Sequence, residues 1–148
     1  MPEFDLARTA AAFDVQPHVA VRARRHVVAM DTVANPAVGI VPWATGADRR
    51  VASGAALGVV PSGRQLVLVG RDNHRHPWVR DLIDAARREH PDLIAVDMGW
   101  PGDDRAYADV ATFGASAHVG DALLDWLERT SEGQKGSTMN ISEGVTNQ

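Results

Sequence analysis

Residues Gln65–Met98 read QLVLVGRDNHRHPWVRDLIDAARREHPDLIAVDM, and the order of their patterns decides the fold. Gln65 to Gly70 (QLVLVG) is a near-continuous apolar run, as a strand buried on both faces requires. From Pro77 to His90 the period changes. Val79, Leu82, Ile83 and Ala86 recur at three- and four-residue spacing, which predicts an amphipathic helix. Pro77 suits the first helical position, where its missing N–H costs nothing. Asp81 near the start and Arg87, Arg88 and His90 near the end complement the helix dipole, and Pro91 stops the helix. Leu93 to Met98 (LIAVDM) is a second buried strand. Strand, helix, strand with buried apolar strands is the unit of a parallel sheet flanked by helices.

The pattern extends in both directions. Downstream, Val110 to Phe113 (VATF) predicts another strand, and His118 to Arg129 a last helix. That helix would turn Val119, Ala122, Leu123, Trp126 and Leu127 to the core, with Ser116 as its N-cap. Upstream, Leu6 to Phe13 is an Ala-rich helix ended by Pro17. His18 to Arg24 alternates like a strand with one wetter face, and His26 to Val33 is a further extended run closed by Asn35-Pro36. Gly39 to Trp43 (GIVPW) is a short apolar piece whose Pro42 argues for a sheet edge or a strand end, and Thr45 to Gly54 a loop or short helix. The expected fold is α/β: a three-layer, flavodoxin-like sandwich around a mainly parallel sheet.

Composition bounds the function. The chain has 148 residues, which suits one domain with a real core. Its formal charge of −4 gives no basic field for nucleic acid. Cysteine is absent, so disulfides and thiolate metal sites are excluded. No apolar stretch reaches the length of a membrane helix, and the start lacks the basic-then-apolar pattern of a signal peptide, so a cytoplasmic location is expected. Fourteen residues are Arg and one is Lys, Lys135, in a final segment rich in Ser, Gly, Thr and Asn. Residues 1–130 are thus expected to form the domain, with 131–148 a disordered tail foreign to it.

In a parallel sheet the ligand crevice lies at the carboxyl ends of the strands. Three loops should gather there: Arg71 to His76, Gly99 to Asp104 and Gly114 to Ser116. The candidate binding residues are Arg71, Asp72, Asn73, His74, Arg75, His76, Asp97 and Trp100. Each has a plainer reading. Asp72, Asn73 and His76 can cap the following helix, and the arginines can be solvated. Arg71, Arg75 and the helix start could instead bind an anion. His74 and His76 lack a third ligand close in sequence, so neither a metal nor a cofactor is expected. No glycine-rich phosphate loop and no G-x-S-x-G elbow occurs. Asp97 ends a buried strand, but no second carboxylate is placed by local sequence to pair with it. Trp43, Trp78 and Trp100 each sit at or near the end of an apolar run, beside Pro or His, and at least one is expected at an interface.

The segments HRHPW (His74–Trp78), MGWP (Met98–Pro101) and TFGAS (Thr112–Ser116), in this order, resemble the C-terminal α/β domain of glycoside hydrolase family three. The likeness is to the actinobacterial β-N-acetylglucosaminidase branch, and ANPAVGIVPW (Ala34–Trp43) is similar to an earlier segment of that domain. It covers about Leu6 to Leu127. The resemblance implies a preceding catalytic barrel that carries the nucleophile and a histidine acid/base within a Lys-His-x-Pro-Gly region. This chain holds neither that motif nor room for a barrel of roughly 250 residues. No catalytic residue is therefore carried over. The expected role is that of an accessory, non-catalytic domain whose partner is the barrel. A bared apolar face would favour a homodimer. The alternatives are a stand-alone binder of a sugar or anion, and a minimal hydrolase built on Asp97 and His74.

Overall fold

The computed structural model describes residues 3–30, 47–51, 57–102, 105–114 and 118–131. Its elements are α1 (Glu3–Ala10), β1 (Asp14–Val15), β2 (Arg25–Met30), β3 (Arg49–Val51), β4 (Gln65–Gly70), a 3₁₀ turn (Asn73–Arg75), α2 (Pro77–Glu89), β5 (Ile94–Asp97) and β6 (Val110–Ala111). Residues 118–131 are also helical and form α3. The strands make one sheet in the order β1-β6-β5-β4-β2-β3. Every pairing is parallel except that of β1 with β6.

Alternation along the strands divides the core in two. Val67 and Val69 of β4, Val96 of β5 and Ala29 of β2 face one side, where they meet Leu123 and Leu127 of α3. Leu66 and Leu68 of β4, Ala95 of β5 and Met30 of β2 face the other side, where they meet Val79, Ile83 and Ala86 of α2. The result is an α/β layering with a helix on each face of a mainly parallel sheet. Each fully buried Leu, Ile or Met here contributes roughly 1.5–3 kcal/mol by leaving water. The end of α1 is held on the α3 side, where Phe13 meets Trp126 edge to face at 6.4 Å and Thr9 Oγ1 bonds His118 Nε2 at 2.5 Å.

Several local expectations change. His18–Arg24 is no strand, and two of its backbone groups are bonded by a distant side chain instead of a ladder. Gln65, 1% exposed, accepts from the Arg22 N–H (2.8 Å) and donates to the carbonyls of Ala20 (2.8 Å) and Asp92 (2.7 Å). The Thr45–Gly54 stretch contains the short strand β3, recruited by pairing to β2. Asp14–Val15 is a strand as well, paired to β6. The helix expected over Leu6–Phe13 starts earlier and ends at Ala10. The first turn of α2 holds no acid, since Asp81 stands one turn in. Ser131, expected to open the disordered tail, instead ends α3 and is buried, with its Oγ donating to the Glu128 carbonyl at 2.9 Å; Gly39–Trp43, Ser116 and 132–148 lie outside the described residues.

Candidate functional site

The carboxyl ends of β4, β5 and β6 form one edge, and Asp97 organises it. This last residue of β5 is fully buried. Its Oδ1 accepts the N–H groups of Asp72 (2.9 Å) and Gly99 (2.8 Å), and its Oδ2 that of Asn73 (2.9 Å). Burial pushes its pKa above the ordinary 3.8, and the three N–H groups pull against that push without cancelling it. A carboxylate so placed stitches the loop after β4 to the loop after β5.

Asn73 completes the stitch. It is fully buried, and its Nδ2 donates to the carbonyls of Val96 (3.1 Å) and Tyr107 (3.0 Å). Its Oδ1 has no hydrogen-bond partner among the described residues and lies over Gly70, where a Cβ would collide with it and stand 2.9 Å from Met30 Cε. Asp72 adopts a left-handed backbone (φ 55) and accepts the Trp100 N–H at 2.7 Å through Oδ1. A Cβ on Gly99 would strike that same Oδ1.

These bonds correct the expected capping. The residue at the N-cap of α2 is His76, and it makes no side-chain capping bond. Asp72 and Asn73 bind across to β5 and its following loop rather than down onto the helix. His74 is half-buried, with its carbonyl bonded to Arg80 Nη1 (2.6 Å) and its ring against Gly102. Its Nδ1 is buried without a hydrogen-bond partner among the described residues. Among the described residues, no group of three or more His, Asp or Glu is placed to hold a metal ion.

Outside this buried frame lies an open groove of about 430 Å³ whose lining includes Arg71, Asp72, Arg75, Gly99, Trp100 and Phe113. Of the expected site residues, Arg71, Asp72, Arg75 and Trp100 thus share one surface, while Asn73 and Asp97 lie beneath it. Trp100 is 53% exposed, whereas Trp78 packs against the α2-side core. Phe113 was not expected here, because VATF reads as strand to its end. Its backbone instead turns left-handed (φ 58) and leaves the ring 50% exposed. Arg105, also left-handed, sets its guanidinium 5.4 Å from the centre of that ring and pairs with Asp14 at 2.5 Å. A left-handed conformation costs a non-glycine residue roughly 1–2 kcal/mol.

Tyr107, behind the edge, donates its hydroxyl to Asp84 Oδ2 at 3.2 Å. Desolvation first, then the Asp84 charge, raises its pKa above the ordinary 10.0. Asp109, before β6, accepts the Ala95 N–H at 2.8 Å and pairs with His18 (3.0 Å) and Arg87 (3.3 Å). Among the described residues, no helix is long and apolar enough to cross a membrane. No family model, no curated protein and no solved structure matches the chain.

Proposed function

We propose that this chain is an accessory, non-catalytic α/β domain of a β-N-acetylglucosaminidase-type glycoside hydrolase of family three, and that its carboxyl edge faces the catalytic barrel. One observation carries the reading. Residues from the three segments that bear the family resemblance, His74–Trp78, Met98–Pro101 and Thr112–Gly114, come together at one edge of the sheet. The outer part of that edge exposes Trp100 and Phe113, aromatic residues of the kind that anchor interfaces. The inner part holds Asp97, whose oxygens are turned to backbone amides and offer no face to a substrate. The flavodoxin-like assignment belongs to the same reading. Numbered among themselves, the five parallel strands run 2-1-3-4-5, the order found in such sheets.

Two measurements test the proposal. The purified chain is assayed on 4-nitrophenyl N-acetyl-β-glucosaminide, and no turnover above buffer is expected. Turnover lost in Asp97→Asn would promote the minimal hydrolase instead. The chain is also mixed with an isolated catalytic barrel of an actinobacterial β-N-acetylglucosaminidase and followed by calorimetry. Saturable binding weakened by Trp100→Ala is expected; heats no larger than dilution would overturn the accessory role.

A further inference from the structure

The groove carries a second inference, one that needs no barrel. All the described non-glycine residues with positive φ, namely Asp72, Arg105 and Phe113, belong to it or brace it. Backbone strain of this kind concentrates where a surface must be held in one shape for binding. Here the left-handed residue Phe113 carries an aromatic ring that is half in water. Trp100 is likewise half in water while its N–H is fixed by Asp72. The loop behind Trp100 is tied down by the Asp97 and Asp72 carboxylates, and Thr112, next to Phe113, donates its N–H to the Asp97 carbonyl at 3.1 Å, so the surface is preorganised.

The charges in the groove narrow the ligand. Arg71 and Arg75 both line it, both are exposed, and neither has a carboxylate partner among the described residues. The groove's own carboxylate, Asp72, is engaged through Oδ1 by the Trp100 amide. Guanidinium groups recognise carboxylate and phosphate oxygens, and indole and phenyl faces receive the apolar face of a ring. The volume of about 430 Å³ accommodates a single-ring compound. We propose that this groove binds a pyranose-sized ring carrying one carboxylate or phosphate, with the anion at Arg71 and Arg75 and the ring against Trp100 and Phe113.

The test separates ring from anion. The isotope-labelled full chain is titrated, in four arms, with N-acetylglucosamine, inorganic phosphate, N-acetylglucosamine 6-phosphate and glucuronate, while amide NMR shifts are followed. One or both of the charged sugars should move the Gly99, Trp100 and Gly114 amides saturably. They should do so at concentrations about tenfold below those needed for either half alone. Which of the two acts identifies the anion as phosphate or carboxylate. An Arg71→Gln/Arg75→Gln double variant, altered only at exposed positions, should bind about tenfold more weakly with its other amides unmoved. The proposal is overturned if neither charged sugar shifts those amides, if inorganic phosphate does as well as the charged sugars, or if the double variant binds like the parent. Because no barrel enters the experiment, its failure leaves the accessory reading standing, and loss of that reading leaves this one standing.

Discussion

Replacing Asp97 by asparagine changes one oxygen to an NH₂ group and tests whether the carboxylate is the stitch at the sheet edge. The amide orientation that keeps oxygen towards Asp72 and Gly99 sets the new NH₂ against the Asn73 N–H. One buried donor is then orphaned, at about 1–3 kcal/mol, and the two remaining bonds lose their charge assistance. Removing a buried charge relieves desolvation and offsets part of this. A net loss of about 1–3 kcal/mol is expected, which lowers Tm by about 3–9 °C for a domain of this size. Asp97→Ala orphans all three N–H groups and should fall further. The pH dependence has a fixed sign. The folded chain holds the Asp97 proton more tightly than the unfolded chain does. The group's stabilising contribution is therefore complete below the ordinary 3.8 and is lost as pH rises through the elevated folded value. Thermal melts followed by circular dichroism across acidic to neutral pH should show the gap between wild type and Asp97→Asn narrowing as pH rises. An asparagine variant melting within about 1 °C of wild type, or below the alanine variant, would refute the reasoning.

Gly70→Ala should lower stability by about 3 kcal/mol, because the new methyl meets an Asn73 side chain pinned at two carbonyls. Gly63→Ala meets open space and should cost only the left-handed backbone penalty of about 1 kcal/mol, so denaturant midpoints should rank the pair in that order. Gln65→Leu leaves the Arg22 N–H and the Ala20 and Asp92 carbonyls without their partner and should cost about 2–4 kcal/mol in a urea melt. Arg75→Ala, at an exposed position, should change stability by at most about 0.5 kcal/mol in the same melt. Deleting residues 132–148 should leave the calorimetric Tm almost unchanged, because their Ser-, Gly- and Asn-rich composition offers little to bury.

The middle of the chain was legible because its signals are long and agree with one another. Six consecutive core positions make β4, and a clean helical period between Pro77 and Pro91 makes α2. The short edge strands were not. Asp14–Val15 and Arg49–Val51 contain Asp14, Arg49 and Arg50, none of them a strand former, and they extend because neighbouring strands offer them a ladder. The alternation of His18–Arg24 misled for the opposite reason: a side chain distant in sequence, Gln65, took the place of a ladder. At the site, the loops were legible from strand ends, but not the roles within them. Asp72 and Asn73 lie beside a helix start, so capping was the local reading. Their actual partners stand 23 to 34 residues away, on β5, in the loop after it and at Tyr107. The positive φ of Phe113 leaves no mark in composition or period.

The antiparallel pairing of β1 with β6, and the bond between Thr9 and His118, 109 residues apart, join the first elements of the chain to the last. On a ribosome, translation runs at about 5–20 residues per second, so α1 and β1 emerge several seconds before their partners exist. The β2-to-β5 centre can assemble meanwhile, since its strands and α2 are complete once Asp97 has cleared the exit tunnel. The nascent amino-terminal segment must wait, with the open side of β5 unpaired, until β6 arrives to receive it. Such late, long-range closure slows folding and leaves a sheet edge free to pair with a neighbouring chain. The amino-terminal fourteen or so residues are thus the part of this domain whose folding depends most on the pace of synthesis.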